Sequence, residues 1–245
     1  MRTPRLILIF LMLCFLCFHF PVWAESTRSS GQDVASLLTA MFSADAAFPE
    51  RFSDNPQNAL TDPDATLVFS RRHINTLLDA AMKTPIYLDH DRGASGSSLR
   101  ADKLFVRPDA KRNVLIVVVT GGVLNLKTGQ KGLGGELTLK HAEFELAPTC
   151  TTGPEGQVLL KTKVRLVGLD IDGTAPAVDI SIAQLLQSLY LDTGAIEDVN
   201  LSEKIPPFRM TKGTDGPEIQ LTQASIQMQD QGIEIRTRWS VKAQP

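Results

Sequence analysis

Two stretches of this chain alternate apolar and charged residues with a period of two. In one, Val158, Leu160, Thr162, Val164 and Leu166 interleave with Lys161, Lys163 and Arg165. In the other, Ile233, Ile235, Thr237, Trp239 and Val241 interleave with Glu234, Arg236, Arg238 and Lys242. Successive side chains of a strand point to opposite faces, so each stretch puts one set inward and the charged set outward. Antiparallel sheets with one wet face require this pattern. Val114 to Val119 is apolar at every position. That segment must lie centrally, or be buried on both faces.

Several strand-like segments change phase partway. Leu137 and Leu139 give way to Ala142, Phe144 and Leu146. Ile219 and Leu221 give way to Ala224, Ile226 and Met228, and Leu99 and Ala101 to Leu104 and Val106. A one-residue slip sends the apolar set to the wrong face. A β-bulge near each phase change repairs this and bends the strand. Gly121-Gly122 and Gly129 to Gly135 mark further bends or hairpin tips.

Helical spacing is rarer. Val34, Leu37, Leu38 and Met41 predict a helix over 33–42. Residues 43–65 hold Pro49, Pro56, Pro63, Asn55 and Asn58, and read as an irregular linker. Ser70 is a good N-cap, followed by Ile74, Leu77, Leu78 and Ala81 at i, i+3, i+4, i+7, with Pro85 as a stop. After Asp179, the residues Ile182, Leu185, Leu186 and Leu189 repeat the spacing, ending near Gly194. Both helices share Ile-x-x-Leu-Leu, and each is followed by Tyr-Leu-Asp. The fold class expected is α+β: a long, bent antiparallel β-sheet wrapped around two or three amphipathic helices.

Arg2 and Arg5 precede an apolar run from Leu6 to Phe18, and Val22-x-Ala24 has the small residues of a processing site. Residues 1–24 are therefore expected to be a signal peptide cleaved after Ala24, placing the protein in the periplasm. A retained anchor is the alternative, although the run is short of the roughly 20 residues that span a bilayer. The expected division is a leader over 1–24, an N-terminal helix and irregular linker over 25–63, and a single α+β domain over 64–245. Removing the leader's two arginines leaves 23 basic against 27 acidic residues, a formal charge of −4. That balance excludes nucleic-acid binding driven by bulk charge. Cys150 is the one cysteine after the leader, so no intramolecular disulfide forms. Its setting, Pro148-Thr-Cys-Thr-Thr-Gly153, reads as a turn.

Motifs that would carry chemistry are sparse. Leu169-Asp-Ile-Asp-Gly-Thr174 resembles the first motif of haloacid-dehalogenase-type phosphatases, which implies Asp170 as nucleophile and Asp172 as acid/base beside magnesium. That motif opens a parallel α/β domain, and here one helix and alternating strands follow. A strand-ending turn is the preferred reading, since Asp and Gly are turn formers. A metal-dependent phosphatase using Asp170 and Asp172 stays a remote alternative. Asp89-His90-Asp91 offers consecutive side chains that rarely converge, so no metal site is assigned. No nucleophile elbow, phosphate-binding loop or zinc-helix motif occurs. The basic rows Lys161, Lys163, Arg165 and Arg236, Arg238 suit an ordinary solvated sheet face, with anionic headgroups as the alternative partner.

The order of elements resembles tubular lipid-binding proteins, the bactericidal/permeability-increasing type and its small bacterial periplasmic relatives. The residues that carry it are Phe69 to Leu78, the strands from 99 to 171, the helix at 180–191, and Ile226 to Val241. The resemblance implies a curved sheet around helices with an apolar groove for acyl chains. Ile74, Leu77, Leu78, Ile182, Leu185, Leu186 and Leu189 are the candidates to line it. The function expected is non-catalytic binding of lipid or another hydrophobic small molecule, with no cofactor and no nucleic acid. An envelope scaffold, docking a protein or a membrane surface without a ligand, is the alternative.

Overall fold

The computed structural model describes residues 47–53, 60–81, 86–87, 97–127, 134–154, 156–191, 199–205, 207–209 and 218–242. The expected leader, the helix over 33–42 and Asp89-His90-Asp91 lie outside these residues. The fold is α+β and its sheets are antiparallel throughout. One sheet has six strands in simple sequence order: β2 (Ile86–Tyr87), β3 (Ser98–Asp109), β4 (Val114–Lys127), β5 (Gly134–Thr152), β6 (Val158–Ile171) and β7 (Val199–Asn200). The other has four, ordered β1 (Ala65–Ser70), β10 (Gly232–Lys242), β9 (Glu218–Gln229) and β8 (Phe208–Arg209). Helices α1 (Arg71–Ala81), α2 (Pro176–Leu186) and α3 (Leu201–Lys204) complete it, with a π-helical turn over Gln187–Leu191 continuing α2.

The alternating stretches form strands as expected. Val158, Leu160, Val164 and Leu166 are buried, while Lys161 and Lys163 are exposed. Ile233, Ile235 and Thr237 are buried on β10. Val241, next to the end of β10, is exposed instead. The uniformly apolar run of β4 is central and buried on both faces. Leu115, Val117 and Val119 join the main core, while Val114, Ile116 and Val118 join a smaller cluster with Phe52 and Ala147 on the outer face.

Phase changes coincide with breaks in the ladders. Register shifts fall between Leu139 and His141 on β5 and opposite Arg238/Trp239 on β9, where Thr222 is the extra residue. In β3 the outcome differs from a bulge. Asp102 and Gly121 leave the β3–β4 ladder together, and Gly121 and Lys140 leave the β4–β5 ladder, so register is kept on both sides. A transverse row of Asp102, Gly121 and Lys140 thus interrupts three neighbouring strands at once. Each strand points two consecutive residues outward there and returns its apolar set to the core. Gly121 sits at φ 73°, a conformation that favours glycine. Cys150, expected in a turn, is on β5 and packs against the main core. The flanking threonines are β-branched and suit a strand.

Ser70 caps α1 as expected, its Oγ accepting from His73 N at 3.3 Å. Helix α2 starts earlier than its apolar spacing indicates. Pro176 occupies its first turn, and Asp179 is buried there, accepting from Thr174 Oγ1. The main core lies between the inner face of the six-stranded sheet, β9, β10 and the helices.

Side-chain amides close the sheet edges. Asn75 of α1 accepts from Val106 N of β3 at 2.7 Å. On the opposite edge, Gln187 Oε1 accepts from Leu166 N at 2.9 Å and Gln187 Nε2 donates to Val164 O at 3.1 Å. Each amide satisfies backbone groups that an edge strand would otherwise leave unpaired.

Candidate functional site

Where α2 crosses the inner face of the six-stranded sheet, packing is incomplete. Leu99, Leu124, Leu139, Ala142, Phe144, Leu166, Leu169, Leu186 and Leu191 surround a cavity of ≈ 20 Å³ with a wholly apolar lining. That is room for about one water molecule, with no polar group in the lining to hold one. Leu99, Leu124 and Leu139 stand on one side of the transverse row, with Ala142 and Phe144 on the other. The interruption of the ladders therefore shapes the cavity floor. Leu186, just before the π-helical turn, and Leu191, its last residue, form the roof.

Of the seven residues expected to line a groove, Leu186 is on the cavity wall. Ile182 is partly buried against the main core and Leu185 is buried. Leu189 falls in the π-helical turn. Ile74 and Leu78 are buried in the main core from α1, with Leu77 partly buried beside them. These three are not among the cavity's lining residues. A register shift at Val167 turns the floor residue Leu169 inward. The inward orientation of Leu99, Leu139, Ala142, Phe144 and Leu166 is visible in the alternation. Their convergence on one space is not, because it depends on four strands meeting one helix.

The outer face of the same sheet holds a polar assembly with no local sequence signal. Glu145 is 0% exposed. It accepts from Arg112 Nη1 at 2.7 Å, Arg51 Nη1 at 2.8 Å and Phe52 N at 2.9 Å. Arg51 also pairs with Glu143 at 2.6 Å, and this hydrogen bond is the main cause that raises the Arg51 pKa. Burial alone would lower the pKa of Arg112, but its bonds to Glu145 and Asp109 outweigh that and raise it. Burial alone would likewise raise Asp109, but Arg112 donates to it from backbone and side chain and holds it below its ordinary value. Phe52 covers the outer apolar cluster, and the Arg165 guanidinium stacks over its ring at 4.1 Å.

Most of the basic residues expected on solvated faces have structural work. Arg165 donates to Glu50 O at 2.5 Å, and Arg236 pairs with Glu234 at 2.5 Å. Arg238 donates to Gln223 and to the carbonyls of Thr61 and Asp62.

The phosphatase-like string ends an antiparallel strand, not the parallel one its chemistry needs. Asp170 is exposed, and exposed Asp172 pairs with Lys140 at 2.8 Å, a hydrogen bond that lowers the Asp172 pKa. Asp172-Gly173 is a turn with Gly173 at φ 76°. Among the described residues no three His, Cys, Asp or Glu side chains converge to hold a metal. No described helix is long and apolar enough to cross a membrane.

No protein-family model matches the chain, and no curated protein matches it. Among solved structures, a crystal structure of lipopolysaccharide binding protein is similar over 86% of this chain and 47% of that one, at 11% identity and a TM-score of 0.31. The chain thus spans about half the length of that protein.

Proposed function

We propose that this protein is an exported, non-catalytic binder of an acyl chain or a similarly slim hydrophobic ligand, held between the six-stranded sheet and α2. The observation that carries this reading is the wholly apolar cavity between strand floor and helical roof. Such a lining makes no polar demand on its occupant, as hydrophobe sites require. At ≈ 20 Å³ the space is smaller than an acyl chain, so a ligand must displace the roof residues Leu186 and Leu191. Each methylene transferred from water contributes about 0.8 kcal/mol, so a chain of several methylenes offsets that displacement. A ligand extending toward α1 would reach Ile74, Leu77 and Leu78, and one running along α2 would meet Ile182, Leu185 and Leu189. The element order that resembles tubular lipid-binding proteins points the same way.

The test is organic-solvent extraction of the purified protein followed by mass spectrometry, comparing wild type with Ala142→Val. Ala142 lines the cavity, and two added methyl groups fill it. Stoichiometric lipid in wild type and its loss in the variant are expected. Lipid-free wild type that also refuses fatty acid in vitro refutes the reading. That outcome would favour the scaffold alternative, for which β1 offers an observation. Leu67 and Val68 are 46% and 68% exposed on an edge strand without charged residues.

A further inference from the structure

A cavity of ≈ 20 Å³ admits a hydrophobic chain only if part of its wall moves. The seam between α2 and β6 is fastened by side chains. Among the described residues, β7 pairs with β6 at Leu159 and Leu160. Beyond them, Gln187 takes the place of a strand through its two bonds to Leu166 and Val164. Gln187 is 6% exposed and opens the π-helical turn, a distortion that recurs at functional sites. Leu186 and Leu191 on either side of it, and Leu166 that it grips, all line the cavity.

A second fastening crosses the same seam. Gln184 of α2 donates to Ala47 O at 2.8 Å, and Arg165 of β6 donates to Glu50 O at 2.5 Å. Arg51 and Phe52 then anchor to Glu145 on the outer face. Residues 47–52 form a strap from α2, past β6, to the far side of the sheet.

We propose that this seam is the gate of the cavity, and that the Gln187 clasp and the 47–52 strap set the rate at which a hydrophobic chain passes. The proposal rests on the cavity reading above. Opening here exposes Leu166 N–H and Val164 C=O to water, so no buried group is orphaned on the way. The seam closes again over the ligand, so weakening it accelerates uptake and release alike and leaves equilibrium affinity in place.

The experiment uses the full chain with the fluorescent fatty acid cis-parinaric acid in stopped flow, for wild type, Gln187→Met and Arg51→Gln. Amide exchange at Leu166 is read in ligand-free protein. Gln187→Met is expected to speed uptake and release about tenfold, the scale of losing a pair of net hydrogen bonds. Arg51→Gln should speed both by a smaller factor, with Kd unchanged and faster Leu166 exchange in each variant. Folded variants with wild-type rates and wild-type exchange overturn the gate, as does weakened affinity without faster rates. If wild type takes up no probe, the cavity reading fails by itself, and exchange still decides the seam. Acceleration at Leu166 by the distant Arg51→Gln supports a single opening unit, and its absence refutes one.

Discussion

Replacing Glu145 with glutamine keeps the shape of a fully buried side chain and removes its charge. Three donors converge on the carboxylate: Arg112, Arg51 and the backbone N–H of Phe52. They do not count equally. Arg51 is 48% exposed and keeps Glu143, so solvent and that second partner absorb most of its loss. Arg112 is 20% exposed and keeps Asp109, but it loses a short bond to the buried partner. The amide can still accept from one donor, while its NH2 faces another. Hydrogen bonds to charged groups contribute about 1.5–3 kcal/mol, and removing one partner of a fully buried pair costs about 3–5 kcal/mol. With two partly exposed cations, the expected loss for Glu145→Gln is about 2–3 kcal/mol. For a chain of this size that lowers Tm by about 4–12 °C. Thermal and urea unfolding followed by far-UV circular dichroism measure it. A double-mutant cycle should show stronger coupling of Glu145 to Arg112 than to Arg51. A loss under about 0.5 kcal/mol would refute the view that this carboxylate clamps the strap to the sheet.

Three further outcomes are expected. Gly122→Ala places a Cβ 2.2 Å from the Arg100 carbonyl oxygen at φ 148°, so it should cost more than about 3 kcal/mol or abolish soluble expression; near-wild-type unfolding would contradict the tight β3–β4 approach. Burial pushes the Cys150 thiol up to about 12, so it should resist thiol reagents at neutral pH in the native state and react on unfolding, as rates with a disulfide reagent in and out of denaturant will show. Asp109 has a folded pKa below its unfolded one, so its contribution is complete above the unfolded value near about 4 and is lost as pH falls through the folded value. Asp109→Asn should therefore flatten the acid limb of stability against pH, and an unchanged limb would rule out the Arg112 contact as its source.

Much of the fold is legible because its signals are local. Period-two alternation shows which residues of β6 and β10 face inward, and the phase slips locate the interrupted ladders to within a few residues. Ser70 and the Ile-x-x-Leu-Leu spacing place α1. The spacing also places the body of α2 but not its start, since Pro176 and buried Asp179 lie outside the apolar stripe. Cys150 was legible only in part, because turn-forming neighbours and β-branched threonines compete in one short segment.

The candidate site is less legible. Alternation marks Leu139, Phe144 and Leu166 as inward but puts Leu169 with the outward set, because Val167 is an extra residue on β6. Helical spacing treats Leu78 and Leu186 as equals. Only the tertiary structure puts Leu186 on the cavity wall and Leu78 in packed core. Glu145 gives the clearest contrast. Its alternation with Phe144 and Leu146 assigns it to a wet face, and its backbone orientation agrees. What buries it is Phe52, from a segment 93 residues earlier in the chain. Side-chain direction follows from pleat geometry, which a short window of sequence contains. Burial, and the partners that make a buried charge tolerable, depend on which distant segment covers that face, and only the folded chain decides this.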